Sequence, residues 1–511
     1  MKTMRKTVVL VILDGWGIGR EDESNPLHFV KPANLQFLKE NFPVTSLVAS
    51  GIAVGLPWGE TGNSEVGHLT LGAGKVLYQY YPKITLAIRD KSFFENPNLV
   101  QALAHAKKNK SAVNFAGLLS KGNVHASLEH LLALIQAAKE AQVDYKLHLF
   151  ADGKDMPPGS ILSLLKEIPP DHLSTLTGRY YAMDREENWN LVQAAYDCLV
   201  SGKGKLVADA AAELGEFLKS NQSEEFLPPT RFGGEEKNIK DGDSLVFFNF
   251  REDSIREIAS SFMQKDFSSF PRENFKDLHL VSMTPYSDKF QTPVLVEPDR
   301  VEHPLGQVLA EAEKSQLRLA ETYKYAHITY FFNGFREAPF PNEYRVIIPS
   351  EPIPHPDEHP EMAAPQITER LLSAMNEHSF DFILVNYANP DAIAHTGNFE
   401  AGLQTIKIMD EEIGKILKAM NEDVVLIITS DHGNIEEMVN PISGRKETQH
   451  DPNPVPFYLV GADFHGRKFD NYSDLNQTSG ILSDVAPTIL EIMGLAKPEE
   501  MNGESLLGKL I

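Results

Sequence analysis

Thr61-Gly62-Asn63-Ser64-Glu65-Val66-Gly67-His68 has the residue types of a nucleophile presented at the start of a helix. Glycines let the backbone turn and let a bulky anion come close. The free amides of a helix N-terminus would face that anion. A serine hydroxyl attacks only when a base or a metal activates it, and an isolated serine here would be no more than a helix cap. Ser64 gains weight from four other segments. Asp14 ends an apolar run at 7–13, and Asp391 and His395 follow the run 382–387. Asp431 and His432 follow 424–428, and His450 sits in Gln449-His450-Asp451-Pro452. Asp391 and His395 are four apart; with a helix beginning after Pro390 they share a face and can grip one ion. Asp14, Asp431 and His432 could hold a second, with Ser64 as its fourth protein ligand. Mixed carboxylate and imidazole donors suit manganese or zinc better than calcium. Such ions would lower the serine pKa and polarise a phosphoryl oxygen. Other nucleophile schemes fail: Val66 breaks the Gly-x-Ser-x-Gly elbow, and there is neither a phosphate-binding Gly-x-x-x-x-Gly-Lys-Ser/Thr loop nor a dinucleotide fingerprint after the first apolar run.

Elements that could bring these groups together are visible along the chain. Buried strands are expected at 7–13, 112–118, 145–150, 245–249, 278–283, 381–387 and 423–429, with amphipathic helices around 127–141, 186–200, 365–377 and 401–420. This alternation predicts α/β layers with a largely parallel sheet, and ligands of such sheets bind outside the carboxyl ends of the strands. The proline-bearing segment 291–304 is the candidate crossing between domains. The 511 residues suffice for two or three domains. A net charge of −23 argues against nucleic-acid or anionic-membrane binding, and means that an anionic substrate needs a local cationic pocket or metal ions. The single cysteine, Cys198, excludes an intrachain disulfide and fits a reducing compartment. The basic start before Thr7 lacks a cleavage site after its short apolar run, and no stretch is long enough to span a bilayer. A soluble, cytoplasmic protein is expected.

With these residues in place, the chain resembles the cofactor-independent (2,3-bisphosphoglycerate-independent) phosphoglycerate mutases of the alkaline-phosphatase-like superfamily. The resemblance rests on Leu13-Asp14-Gly15-Trp16-Gly17, Gly62-Asn63-Ser64-Glu65-Val66-Gly67-His68, Gly178-Arg179-Tyr180-Tyr181-Ala182-Met183-Asp184-Arg185 and Ala320-Glu321-Thr322-Tyr323-Lys324. It continues through Asn389-Pro390-Asp391, Asp431-His432-Gly433-Asn434, Asn453-Pro454-Val455-Pro456 and Asp484-Val485-Ala486-Pro487-Thr488. It implies an alkaline-phosphatase-like three-layer α/β domain, 1–78 and 300–511, with a second α/β domain for substrate binding inserted at 79–299. It implies interconversion of 3- and 2-phosphoglycerate in glycolysis and gluconeogenesis by an isomerase that works through phosphoserine. Two divalent ions are implied, manganese first and zinc, cobalt or magnesium as alternatives. Asp14, Ser64, Asp431 and His432 would hold one ion, and Asp391, His395 and His450 the other. Ser64 would carry the phosphoryl group, Lys324 would bind and stabilise it, and His125 would contact the substrate. Asp155 would act as general acid and base on the glycerate hydroxyls, and Lys154, Arg185 and Arg251 would complete the substrate site. Closure over the substrate would keep water from the phosphoserine. The expected partner is this small molecule, with no nucleic acid or membrane, and the chain is expected to be a monomer.

The chain departs from the family in one pocket. Lys154 stands where the family has arginine before Asp155, Leu191 replaces an arginine after Arg185, and Ser254 replaces one after Arg251. An ammonium cannot reproduce the bidentate fork of a guanidinium. Lys121 and Arg256 are the cations expected to restore charge. A metal-dependent phosphatase, or a mutase for another phosphorylated metabolite, is the rival reading.

Overall fold

The computed structural model describes residues 6–510 apart from 221, 234–237, 352–353, 468–474 and 476–477. The chain divides into two compact units, one formed by Met1–Tyr78 and Asp299–Ile511, the other by Gln79–Pro298. The second crossing falls in the proline-bearing segment 291–304, one residue before the expected 299/300 boundary. Each unit has its own hydrophobic core.

The first unit is built on an eight-stranded sheet in the order Glu343–Ile348, Gln316–Glu321, Phe382–Tyr387, Thr7–Leu13, Val424–Thr429, Val455–Val460, Val44–Val48, Thr478–Ile481. Thr7–Leu13 is buried along its whole length. Its β-branched run suits a strand covered on both faces. It pairs in parallel with Phe382–Tyr387 and Val424–Thr429, and Gln316–Glu321 continues the parallel set beyond Phe382–Tyr387. Leu13 lies opposite Tyr387 and Ile12 opposite Thr429. This register delivers Asp14, Asp391, Asp431 and Lys324 to one sheet edge. Val455–Val460 runs antiparallel to Val424–Thr429, so the segment that precedes it, with His450, reaches the same edge.

The second unit holds a seven-stranded sheet in the order Lys205–Leu206, Thr230–Arg231, Leu173–Gly178, Asp144–Ala151, Ala112–Leu119, Ser244–Phe247, His279–Ser282. The five longer strands are mutually parallel. Their carboxyl ends lead into the segments with His125, Asp155, Arg179 and Arg251. Among the described residues, no helix is long and apolar enough to cross a membrane.

Candidate active site and metal centre

Ser64 opens the helix Ser64–Ala73, and the Asn63 side chain caps that helix by accepting from the Val66 amide at 3.0 Å. Glycines in and just before the helix let it pack close to neighbouring loops. A methyl on Gly67 would lie 2.5 Å from the Asp431 carbonyl oxygen, and one on Gly62 would overlap the Ala49 carbonyl. Ser64 itself is buried. Its Oγ lies 3.1 Å from Asp14 Oδ1 and 3.0 Å from His432 Nε2. Lys324 Nζ donates to it at 2.7 Å, and also to Asp14 Oδ1 at 2.6 Å and Asp391 Oδ2 at 2.8 Å. Asn386, from the neighbouring strand, donates to Asp14 Oδ2 at 2.7 Å.

Three imidazoles complete the cluster. Nδ1 of His395 lies 2.8 Å from the Thr448 carbonyl, that of His450 lies 2.8 Å from the Gly62 carbonyl, and that of His432 lies 3.2 Å from the Gly433 carbonyl. A carbonyl can only accept, so Nδ1 carries hydrogen in each ring and Nε2 is left facing the carboxylates. This is how ligating histidines are oriented. Nε2 of His395 and Nε2 of His450 lie 3.1 Å apart, and 3.2 and 3.3 Å from Asp391 Oδ1. Two ring nitrogens that close to each other and to one carboxylate oxygen form an arrangement that could hold a cation. Two groups can each converge on one ion: Asp391, His395 and His450, and Asp14, Asp431 and His432.

Electrostatics agree with this fit. Asp14, Asp391 and Asp431 share one fixed cation, Lys324. Burial would raise the Asp391 carboxyl, but Lys324 and the hydrogen bonds from His395 and His450 hold it well below the usual range. Burial would lower His432, yet Asp431, Asp14 and Asp391 push it up to about 10. The protein alone thus fills a cation deficit with a proton. Two divalent ions would reverse the excess of negative charge and leave the net positive charge that a dianionic phosphoryl group needs.

In the second unit, His125 Nδ1 meets Asp155 Oδ2 at 2.8 Å, and Arg179 donates to Asp155 Oδ1 at 2.8 Å and to Asp152 Oδ1 at 2.7 Å. Burial would raise Asp155, and the hydrogen bonds from His125 and Arg179 outweigh it and lower its pKa. Asp253 Oδ2 gathers Arg251 Nε at 3.1 Å and Arg185 at 3.3 Å, while its Oδ1 lies 3.4 Å from His125 Nε2. Ser254 Oγ is also 3.4 Å from His125 Nε2. Lys154 is turned to Glu225 at 3.2 Å and is largely exposed. The two expected substitutes are engaged elsewhere: Lys121 pairs with Glu167 at 2.6 Å, and Arg256 donates to the Tyr286 carbonyl at 2.9 Å. Arg179, Asp152, Asp253 and Asn386 were not singled out from sequence. Asp152 directly follows a buried strand, the position that marked Asp14, and that was its available signal; Arg179 follows Leu173–Gly178, a strand whose polar residues hide it, and its signal was only its place in the run 178–185.

Comparison with known proteins places these sites in context. The profile of the metalloenzyme superfamily matches residues 6–497. The chain is 42% identical to the 2,3-bisphosphoglycerate-independent phosphoglycerate mutase of Clostridium beijerinckii, over 98% of this chain and 99% of that protein. It is 41% identical to the enzyme of the same name from Pseudomonas fluorescens, over 99% and 100%. Among solved structures it resembles Leishmania mexicana phosphoglycerate mutase determined at low cobalt concentration, with a TM-score of 0.52, 26% identity and coverage of 99% and 98%.

Proposed function

The chain belongs to the 2,3-bisphosphoglycerate-independent phosphoglycerate mutases, and on that premise we propose that it interconverts 3- and 2-phosphoglycerate, as an isomerase of glycolysis and gluconeogenesis, through phosphorylated Ser64. The observation that carries this reading is the setting of Ser64 Oγ, within 3.1 Å of Asp14, His432 and Lys324 at a helix N-terminus.

Asp14, Asp431, His432 and Ser64 would hold one divalent ion, and Asp391, His395 and His450 the other, manganese being the first choice. Such ions lower the serine pKa and neutralise phosphoryl charge. Lys324 directs its ammonium at Ser64 Oγ, where a phosphoryl group arrives, and balances charge as the group transfers. Ser64 Oγ, ionised before the transfer and again after it, forms the new bond to phosphorus as the bond to the 3-oxygen of glycerate breaks. Asp155, held ionised by His125 and Arg179, takes the proton of the 2-hydroxyl and gives it to the departing 3-oxygen. The 2-oxygen then recovers the phosphoryl group from Ser64. Arg185 and Arg251, gathered by Asp253, bind the substrate's anionic groups, and His125 orients its hydroxyls. Lys154 would join this site by leaving Glu225. Only a proton and a phosphoryl group have exchanged places, so every residue ends as it began. A monomer in the cytoplasm meets these requirements.

The engagement of Lys154, Lys121 and Arg256 by other partners favours one second reading, a related phosphorylated substrate. Metal-stripped protein supplied with manganese and 3-phosphoglycerate, without bisphosphoglycerate, separates the two. Formation of 2-phosphoglycerate without free phosphate is expected. Phosphate release alone, or neither product, would overturn the assignment. Ser64→Ala is expected to abolish transfer, and full activity in that variant would refute the phosphoserine.

A further inference from the structure

Glu436 is fully buried and lies between three segments without being a candidate ligand itself. Its Oε2 accepts from the Gly17 amide at 2.8 Å and from the Asn434 amide at 2.9 Å. Its Oε1 accepts from Asn453 Nδ2 at 3.3 Å. Gly17 belongs to the loop that begins at Asp14, Asn434 to the loop of Asp431 and His432, and Asn453 to the segment of His450. Asp451, the neighbour of His450, brings a second carboxyl to the same place: a methyl on Gly433 would overlap both Glu436 Oε1 and Asp451 Oδ1, and Asp451 Oδ2 is buried without a hydrogen-bond partner among the described residues. Two buried carboxyls brought together favour a proton on one of them, because like charges in a dry site repel. Burial, with Asp451 beside it, indeed pushes Glu436 well above the usual carboxylate range.

The surroundings are shaped to admit this side chain. A methyl on Gly17 or on Gly433 would overlap Glu436 Oε1, and one on Gly19 would lie 2.9 Å from its Cβ. The same three segments are tied by backbone as well: the Ile435 amide donates to Gly15 O at 3.0 Å and Ile18 to Pro454 O at 2.8 Å. Among the described residues, Glu436 accepts hydrogen bonds from all three segments.

We infer that Glu436 is a positioning residue for the metal centre, a buried carboxyl that fixes the relative placement of the segments bearing Asp14, Asp431 with His432, and His450. The inference rests on the metal-centre reading above. Such a hub makes a distinctive demand. Glutamine can serve, because its carbonyl accepts from Gly17 and Asn434 while its amide donates to Asp451. Alanine cannot, and aspartate is one methylene too short to reach both amides.

The test is titration of metal-stripped protein with manganese chloride by calorimetry, with the circular dichroism spectrum recorded for each variant. Wild type is expected to take up two ions. Glu436→Gln should bind as wild type does, and Glu436→Ala should bind about 10- to 100-fold more weakly, the range for partners that orient ligands. Should Glu436→Ala fail to fold, Glu436→Asp, which keeps the carboxyl, is expected to show the same weakening with a native spectrum. Undiminished affinity in the folded Ala or Asp variant overturns the inference, as does equal weakening in Glu436→Gln. Failure of the wild-type protein to bind two ions would instead overturn the metal-centre reading itself.

Discussion

At the scale of the residue, Lys324 carries the heaviest load. It is the buried cation among three buried carboxylates and touches Ser64 Oγ at 2.7 Å. Lys324→Met should lower kcat by about 10²- to 10³-fold, the effect of losing one group aimed at transition-state charge. It should also destabilise metal-free protein by roughly 3–5 kcal/mol, because buried charges are left unpaired, and less when metal is supplied. Melting curves with and without manganese would show the difference; an equal loss in both would mean that the ions do not share the lysine's role. Arg179 plays the corresponding part for Asp155. Removing it in Arg179→Met withdraws one of the two groups that lower the Asp155 pKa. The acidic limb of the pH profile of kcat/KM should move to higher pH, since Asp155 must be ionised to take a proton. An unmoved limb would show that Asp155 is not the group that titrates there.

At the scale of the element, the helix Ser64–Ala73 and the strand ends decide where chemistry happens. Asn63→Ala should cost about 1 kcal/mol through the lost cap, measurable by chemical denaturation, with a larger loss of kcat because Ser64 is the first residue that cap orients. Retained kcat with reduced stability would separate capping from catalysis. The elements differ in how plainly their residues announce them. Thr7–Leu13, Phe382–Tyr387 and Val424–Thr429 read as apolar runs because they are covered on both faces. Gln316–Glu321 does not, since a fully buried arginine, Arg318, interrupts it; the side chain hydrogen-bonds Gln316 Oε1 at 2.7 Å and lies over the Phe332 ring. Val455–Val460 is disguised by Pro454 and Pro456, and Leu173–Gly178 by its threonines and serine. The cluster around Ser64 was foreseeable because most of its groups follow recognisable strands or belong to motifs. The partners of Asp155 were not, because nothing in the chain order says that Arg179 turns towards a carboxylate 24 positions earlier. Nor does it say that Lys121 and Arg256 turn elsewhere.

At the scale of the whole molecule, two units with separate cores should respond separately to conditions. Both donor sets belong to the first unit. Chelation should therefore lower the melting of that unit alone, since an ion at a hundred times its Kd adds about 2.7 kcal/mol to the stability of what binds it. Differential scanning calorimetry with and without a chelator tests this; a uniform shift of all transitions would refute separate responses. The second unit has its own sensitivity. Burial, with Asp184 beside it, raises Glu257 to about 7 from an ordinary value of 4.5. A carboxyl whose folded pKa is raised favours the folded state in its protonated form. That contribution is complete below about 4.5 and is lost as pH rises to about 7. The second unit should melt at progressively lower temperature across this window, and Glu257→Gln should flatten the trend. A slope unchanged in Glu257→Gln would assign it to another group.

The three imidazoles fastened by their Nδ1 atoms to backbone carbonyls have a consequence for supply. Rings already aimed offer their nitrogens to any divalent ion that accepts mixed nitrogen and oxygen donors at that spacing. Occupancy then follows intrinsic affinity and abundance, and by intrinsic affinity zinc outranks manganese at nitrogen and oxygen donors. With the proposed ions bound there, activity would follow the trace-metal balance of the surroundings, and an excess of zinc would compete with manganese for both donor sets.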